Sequence, residues 1–191
     1  SVYIVDIDGD GDLDIYASRT VREQIIPYPY LLNEREDLLL INSDGEFEEM
    51  IRMGGRTYRQ AYDTDIFDWN LDGRFELYVA NDMGHQYGGN FILDLSNWPY
   101  ITGHEHFVMD SMDLDFSDIN GDGKDDLYIE DLRLNRLFMD HDDVFVDYTS
   151  SMQANPLLQR EMSWGTLWVD YDNDGDEDIL FTRGDLYLKN E

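Results

Sequence analysis

The chain predicts an all-β fold, and within that class a β-propeller of four-stranded blades. Three observations carry this. Short runs of apolar, β-branched and aromatic residues recur with turn residues between them, the pattern of buried strands. No segment shows a long apolar stripe at 3.6-residue spacing. One acidic pattern occurs four times, starting at Asp6, Asp68, Asp118 and Asp170, at spacings of 62, 50 and 52 residues. Repeats near this length mark solenoids, propellers or arrays, and about 50 residues suits a four-stranded blade with one or two long loops.

The repeated pattern is Asp-x-[Asp/Asn]-x-Asp-Gly-x-x-[Asp/Glu]. Its copies are Asp6, Asp8, Asp10, Gly11, Asp14; Asp68, Asn70, Asp72, Gly73, Glu76; Asp118, Asn120, Asp122, Gly123, Asp126; and Asp170, Asp172, Asp174, Gly175, Asp178. Side-chain oxygens at positions 1, 3, 5 and 9, with Gly at position 6 for a sharp turn, suit Ca²⁺, a hard cation that takes six to eight oxygens. Up to four Ca²⁺ ions are expected. The backbone carbonyl at position 7, from Asp12, Arg74, Lys124 and Asp176, is expected to complete each site. The second site is expected to be the weakest, because Asn70 replaces an acid, Arg74 adds a positive charge and Glu76 is longer than Asp.

The flanks separate these loops from an EF-hand, which needs a bidentate Glu at position 12 and helices on both sides. Position 12 is Ala17, Val79, Ile129 or Phe181. Apolar strand-like runs follow position 9, and position 2 is always apolar: Ile7, Trp69, Ile119, Tyr171. Each loop therefore joins two strands and turns one apolar side chain inward.

The third repeat is read as strands over residues 112–118, 126–131, 135–139 and 144–148, with Asp140-His141-Asp142-Asp143 as the last turn. The first repeat gives strands over residues 37–42 and 47–50 around Ser43-Asp44-Gly45-Glu46, and Asp-Gly between apolar runs signals a hairpin. The blades are expected at residues 1–55, 56–108, 109–160 and, in part, 161–191, with 186–189 as the third strand of the last. Residues 151–161 read as a short helix or an irregular loop.

Residues 75–82 (FELYVAND), 112–129 (MDLDFSDINGDGKDDLYI) and 162–184 (MSWGTLWVDYDNDGDEDILFTRG), with Asn135-Arg136-Leu137-Phe138, carry a resemblance over nearly the whole chain. It resembles the FG-GAP/VCBS repeats, the calcium-loop blades of integrin α-subunit propellers, and most of all the ASPIC/UnbV-type repeat proteins. The resemblance implies a propeller of seven or eight blades, of which about four are present. The sequence departs from the family in Leu71, where Gly or Asn is usual, in Glu76, and in residues 19–36 and 83–109, which are longer than a compact repeat needs. There is no start Met and no signal peptide, so Ser1 is expected to lie inside a longer chain; a compact four-bladed propeller is the alternative.

Composition narrows the function. Net charge is −30, and four Ca²⁺ ions would leave it strongly negative. Such a surface repels nucleic acid and anionic membranes, which select for clustered Lys and Arg. No stretch of 18 apolar residues spans a membrane. No Cys is present, which excludes disulfides and thiolate metal sites. Calcium loops of this kind suit the millimolar calcium outside cells, so a secreted, cell-surface or periplasmic location is expected.

The catalytic search finds no G-x-S-x-G elbow, P-loop or H-E-x-x-H. His104-Glu105-His106 reads either as a polar loop or as two imidazoles on one side of a strand for a transition metal. Tyr28 and Tyr30 in the apolar segment 25–32, and Tyr87, Trp98 and Tyr100 in residues 83–109, are candidate contacts for a protein or glycan partner. Trp69, Trp164, Trp168 and Tyr171 read as core between blades. The expected function is non-enzymatic: a calcium-binding extracellular propeller for adhesion, protein or glycan binding, or assembly. The alternatives are an accessory propeller of a secreted polysaccharide-active enzyme and an autonomous lectin.

Overall fold

The computed structural model describes residues 1–18, 37–52, 60–95, 102–142, 144–151 and 163–184. The fold is all-β. Among the described residues fourteen strands form four antiparallel sheets, three of four strands and one of two. In each, the order in the sheet is the order in the chain.

The chain divides into two compact units, Ser1–Asp110 and Ser111–Glu191. The first holds β1 (Val2–Val5), β2 (Asp14–Ala17), β3 (Leu38–Ser43) and β4 (Glu46–Arg52) in one sheet. Its second sheet is β5 (Gln60–Phe67), β6 (Glu76–Asp82), β7 (Phe91–Asp94) and β8 (Thr102–Glu105), with a one-turn helix α1 (Gly84–Tyr87) between β6 and β7. The β3–β4 connection is the expected Asp-Gly hairpin. Asp44 and Gly45 have φ of 53° and 87°, the positive values a two-residue turn needs to match strand twist. Both sheets feed one core: Val5, Ile7, Tyr16 and Leu39 pack with Ala61, Leu77, Val79, Leu93 and Leu95. The Tyr3 hydroxyl donates to Asp65 Oδ1 at 2.6 Å, which ties β1 to β5.

The second unit holds β9 (Ser111–Ser117), β10 (Asp126–Asp131), β11 (Arg136–Asp140) and β12 (Phe145–Asp147), then the pair β13 (Ser163–Val169) and β14 (Asp178–Arg183). Tyr128 and Leu137 form its core, with Ile119, Met139, Trp168 and Ile179 packed around them. The Trp168 N–H donates to Asp115 Oδ2 at 2.7 Å, and the Thr166 N–H donates to Asp113 Oδ2. First strands of successive sheets thus meet within each unit, β1 with β5 and β9 with β13.

Several expectations change. Residues 83–109 are not a free insertion, because they supply α1, β7 and β8. Strand limits in the third repeat shift by about one residue. Tyr171 is 80% exposed and Trp164 41% exposed, so neither is core; Trp168 packs as expected, in edge contact with Tyr128, and Trp69 is half-buried against Phe67 and His106. The same exposure corrects the inward turn of position 2 in the fourth loop, whereas Ile7 is buried. Residues 19–36, 152–162 and 185–191 lie outside the described residues, and with them the expected strand at 186–189.

Candidate metal centres

All four acidic loops occupy one topological place, the connection between the first and second strand of a sheet. Position 9 opens the second strand each time: Asp14 in β2, Glu76 in β6, Asp126 in β10, Asp178 in β14.

The loop backbone is shaped by its own side chains. In the first loop Asp6 Oδ1 accepts the Gly9 N–H at 2.8 Å and Asp6 Oδ2 the Gly11 N–H at 3.1 Å, while Asp10 Oδ1 accepts the Asp12 N–H at 2.8 Å. In the second, Asp68 holds the Asp72 and Gly73 N–H groups, and Asn70 Oδ1 also takes the Asp72 N–H at 2.9 Å. Asp118 and Asn120 do the same for Asp122 and Gly123, and Asp170 for Asp174 and Gly175. The position-6 glycines have φ of 97°, 85°, 90° and 96°, a region closed to other residues without strain. Position 4 is left-handed as well, at Gly9, Leu71, Gly121 and Asn173.

Two loops gather three carboxylates each. Asp6, Asp8 and Asp14, and likewise Asp170, Asp172 and Asp174, offer oxygens that all lie within 4.8 Å of one another. A shell of oxygens at 2.3–2.6 Å from an ion is about 5 Å across, so the spacing fits a hard divalent cation, and the all-oxygen donor set favours Ca²⁺ or Mg²⁺ over softer metals. The buried Asp126 Oδ2 makes no hydrogen bond of ordinary geometry, with only the Ile119 N–H nearby to pull its carboxyl down, so it too can serve a cation. The electrostatics agree. Burial raises the Asp8 carboxyl, and Asp10, Asp14 and Asp6 push it further against the pull of the Asp10 N–H. Burial lifts Glu76 to about 7, with Asp94, Asp72 and Asp68 adding to the rise and the Trp69 N–H opposing it. Burial likewise lifts Asp126 to about 6, opposed by the Asp140 and Ile119 N–H groups and reinforced by Asp122 and Asp118.

Position 9 has a role that loop spacing does not reveal. Asp14 Oδ2 accepts the Ile7 N–H at 2.7 Å and Oδ1 the Asn42 N–H at 2.8 Å. Glu76 Oε2 accepts the Trp69 N–H at 2.9 Å, Asp126 Oδ1 the Asp140 N–H at 2.9 Å, and Asp178 Oδ2 the Tyr171 N–H at 3.2 Å. The acid fastens the loop to the sheet, and in two sheets it grips the end of the third strand. Asn42 and Asp140 are the residues gripped, and Asp94 stands opposite Glu76 at the matching place in the second sheet. Their shared signal in the sequence is an Asn or Asp closing an apolar third strand.

In two loops position 7 is also tethered by its side chain. Asp12 Oδ2 accepts the Asp44 N–H at 2.8 Å, and Lys124 Nζ lies 3.2 Å from Asp140 Oδ1. For Arg74 and Asp176 the backbone N–H meets Asp72 Oδ1 and Asp174 Oδ1.

The remaining candidates separate. Tyr28, Tyr30, Trp98 and Tyr100 lie outside the described residues, and Tyr87 closes α1. His104 stands in β8 opposite Ile92. His106 Nδ1 is 3.0 Å from the Tyr78 hydroxyl, and its ring packs on Tyr78 and Phe107, so it serves the interior of the sheet. His85 Nδ1 is 3.1 Å from the buried Asp110. Among the described residues no helix is long and apolar enough to cross a membrane.

No protein-family model and no curated protein matches the chain.

Proposed function

We propose that this chain is a calcium-stabilised region of a β-propeller whose four sheets are blades, and that it serves binding or assembly outside the cell rather than catalysis. The observation that carries this reading is positional: one acidic loop recurs at the same first-to-second-strand connection of every sheet. Four-stranded antiparallel meanders whose first strands lie side by side within each unit are the arrangement radial blades require, which supports the propeller over an unrelated stack of sheets. Calcium supplies the positive charge that the crowded carboxylates lack. Asp6, Asp8, Asp10 and Asp14 would hold it in the first loop, with the matching residues in the others. A rigid, acidic frame then presents its loops to a protein or glycan, or to further blades.

Calorimetric titration tests the first half. Calcium binding at several sites per chain is expected, with the second loop the weakest, and no heat and no bound calcium would overturn it. A glycan array and a protein-capture screen, each run in calcium and in chelator, test the second half. Calcium-dependent retention of one ligand class supports it, and hydrolysis or lysis of an arrayed glycan would overturn the non-enzymatic assignment.

A further inference from the structure

In the third loop a cation is already supplied by the chain. Lys124 Nζ sits 3.2 Å from Asp140 Oδ1, and the Asp140 side chain is only 3% exposed. The backbone N–H of the same Asp140 donates to Asp126 Oδ1, at 2.9 Å. The ammonium, Asp140 and the position-9 acid thus form one connected chain from the loop to the end of β11. In the first loop the same tether has the opposite sign: Asp12 at position 7 is an acid, and it reaches the β3–β4 turn by accepting the Asp44 N–H.

We propose that Lys124 is a tethered counter-cation that makes the third loop tolerant of calcium loss and lowers its affinity for the ion. The inference rests on calcium occupying the loops. An ammonium anchored on Asp140, whose own N–H meets the position-9 acid, offsets part of the loop's repulsion when no divalent ion is present, and opposes the ion's arrival through the same Coulomb term. Asp140 balances Lys124, so the two side chains act on the loop with opposite signs. The first loop, residues 6–14, carries no Lys or Arg of its own, so its sequence supplies no such balance. As calcium falls, the third loop empties early yet keeps its shape, while the first holds its ion longer and loosens when it is lost. The blades therefore respond to calcium in steps.

The test uses the full chain with Lys124→Met, Asp140→Asn and the double variant. The Gly123 N–H donates to Asp118 Oδ2 at 2.8 Å, so its amide resonance reports the third loop in a calcium titration, and Gly11, Gly73 and Gly175 report the others. Urea unfolding in chelator gives the stability of the ion-free chain. Lys124→Met should raise third-loop affinity by about three- to tenfold and lower the urea midpoint in chelator. Asp140→Asn should lower the affinity, which keeps the proposal testable should Lys124→Met fail to fold. The double variant should return the affinity towards that of the unmutated chain. An unchanged Gly123 titration in both single variants, or shifts of the same sign, would overturn the inference while the calcium reading stands. Absence of calcium shifts at all four glycines in the unmutated chain would overturn both.

Discussion

The first and third loops share a backbone and differ in charge. Both are shaped by carboxylates that accept N–H groups inside the loop, and both place Gly at a φ of 90° or slightly more at position 6. The first carries five acids at its odd positions, Asp6 to Asp14, whereas the third has Asn120 and Lys124 in that series. At position 9 the contrast reverses. Asp14 has both oxygens engaged by well-formed N–H bonds, while Asp126 has one so engaged and its second only within the weaker reach of the Ile119 N–H. Turn geometry and cation demand are therefore separate properties. Short-range hydrogen bonds fix the first, and the net charge of the loop sets the second.

The largest effect that can test this separation is calcium removal. A site held at a hundred times its Kd stabilises the fold by about 2.7 kcal/mol, and for a chain of this size each kcal/mol moves Tm by about 2–4 °C. Chelation is expected to lower Tm by more than about 10 °C in a thermal melt. Hydrogen exchange should show the first and fourth loops, with their gathered carboxylates, losing more protection than the third. Equal loss in all loops would break the comparison, and an unchanged melt would remove calcium from the account.

Position 9 gives the next effect, and it persists without the ion. Asp14 is buried and holds two backbone N–H groups. Asp14→Ala strands both, at about 1–3 kcal/mol for each unsatisfied group. A loss of about 3 kcal/mol is expected from urea unfolding in chelator. Asp178 is exposed and holds one N–H at 3.2 Å, so Asp178→Ala is expected to cost less than about 1 kcal/mol under the same conditions. Equal losses would mean that the fastening role does not depend on burial.

These contrasts mark where the sequence is legible. The acidic positions, the Gly at position 6 and the strands that flank each loop are local, and spacing alone reveals them. The grip of Asp14 on Asn42 spans 28 residues and that of Asp126 on Asp140 spans 14, so they appear only when the third strand is in register. Residues 83–109 looked like an insertion because α1 and the irregular stretch Gly88-Gly89-Asn90 interrupt a run that still provides two strands. Tyr171 stands at position 2 like Ile7, yet it is 80% exposed where Ile7 is buried, a difference that spacing does not show.

pH offers a smaller and signed effect. Burial lifts Glu76 to about 7 and Asp126 to about 6 in the fold, above the ordinary carboxylate values near 4 expected of the unfolded chain. A raised folded pKa means that the fold binds protons more readily than the unfolded chain between those values, so stability without the ion rises as pH falls from about 7.5 to 5. With calcium bound, protons compete with the ion, and stability falls over the same range. Melts at pH 5.5 and 7.5, each with calcium and with chelator, should therefore cross in order. Parallel trends in the two conditions would sink the assignment of these carboxyls to the ion.

The smallest effect concerns a residue that separates the second loop from the rest. Position 4 is left-handed in all four loops, and Gly9, Gly121 and Asn173 suit it, but Leu71 adopts φ 55°. A side chain branched beyond Cβ pays about 1–2 kcal/mol in that region, where Asn is among the residues best tolerated. Leu71 is 57% exposed, so replacing it removes little buried apolar surface. Leu71→Asn is expected to stabilise the chain by about 1 kcal/mol, a rise in Tm of about 2–4 °C, with and without calcium. Leu71→Gly relieves the same strain but adds freedom to the unfolded chain, so its gain should be smaller. A destabilised Leu71→Asn variant would show that the Leu71 side chain makes contacts worth more than the strain, and that the second loop is built differently from its three counterparts.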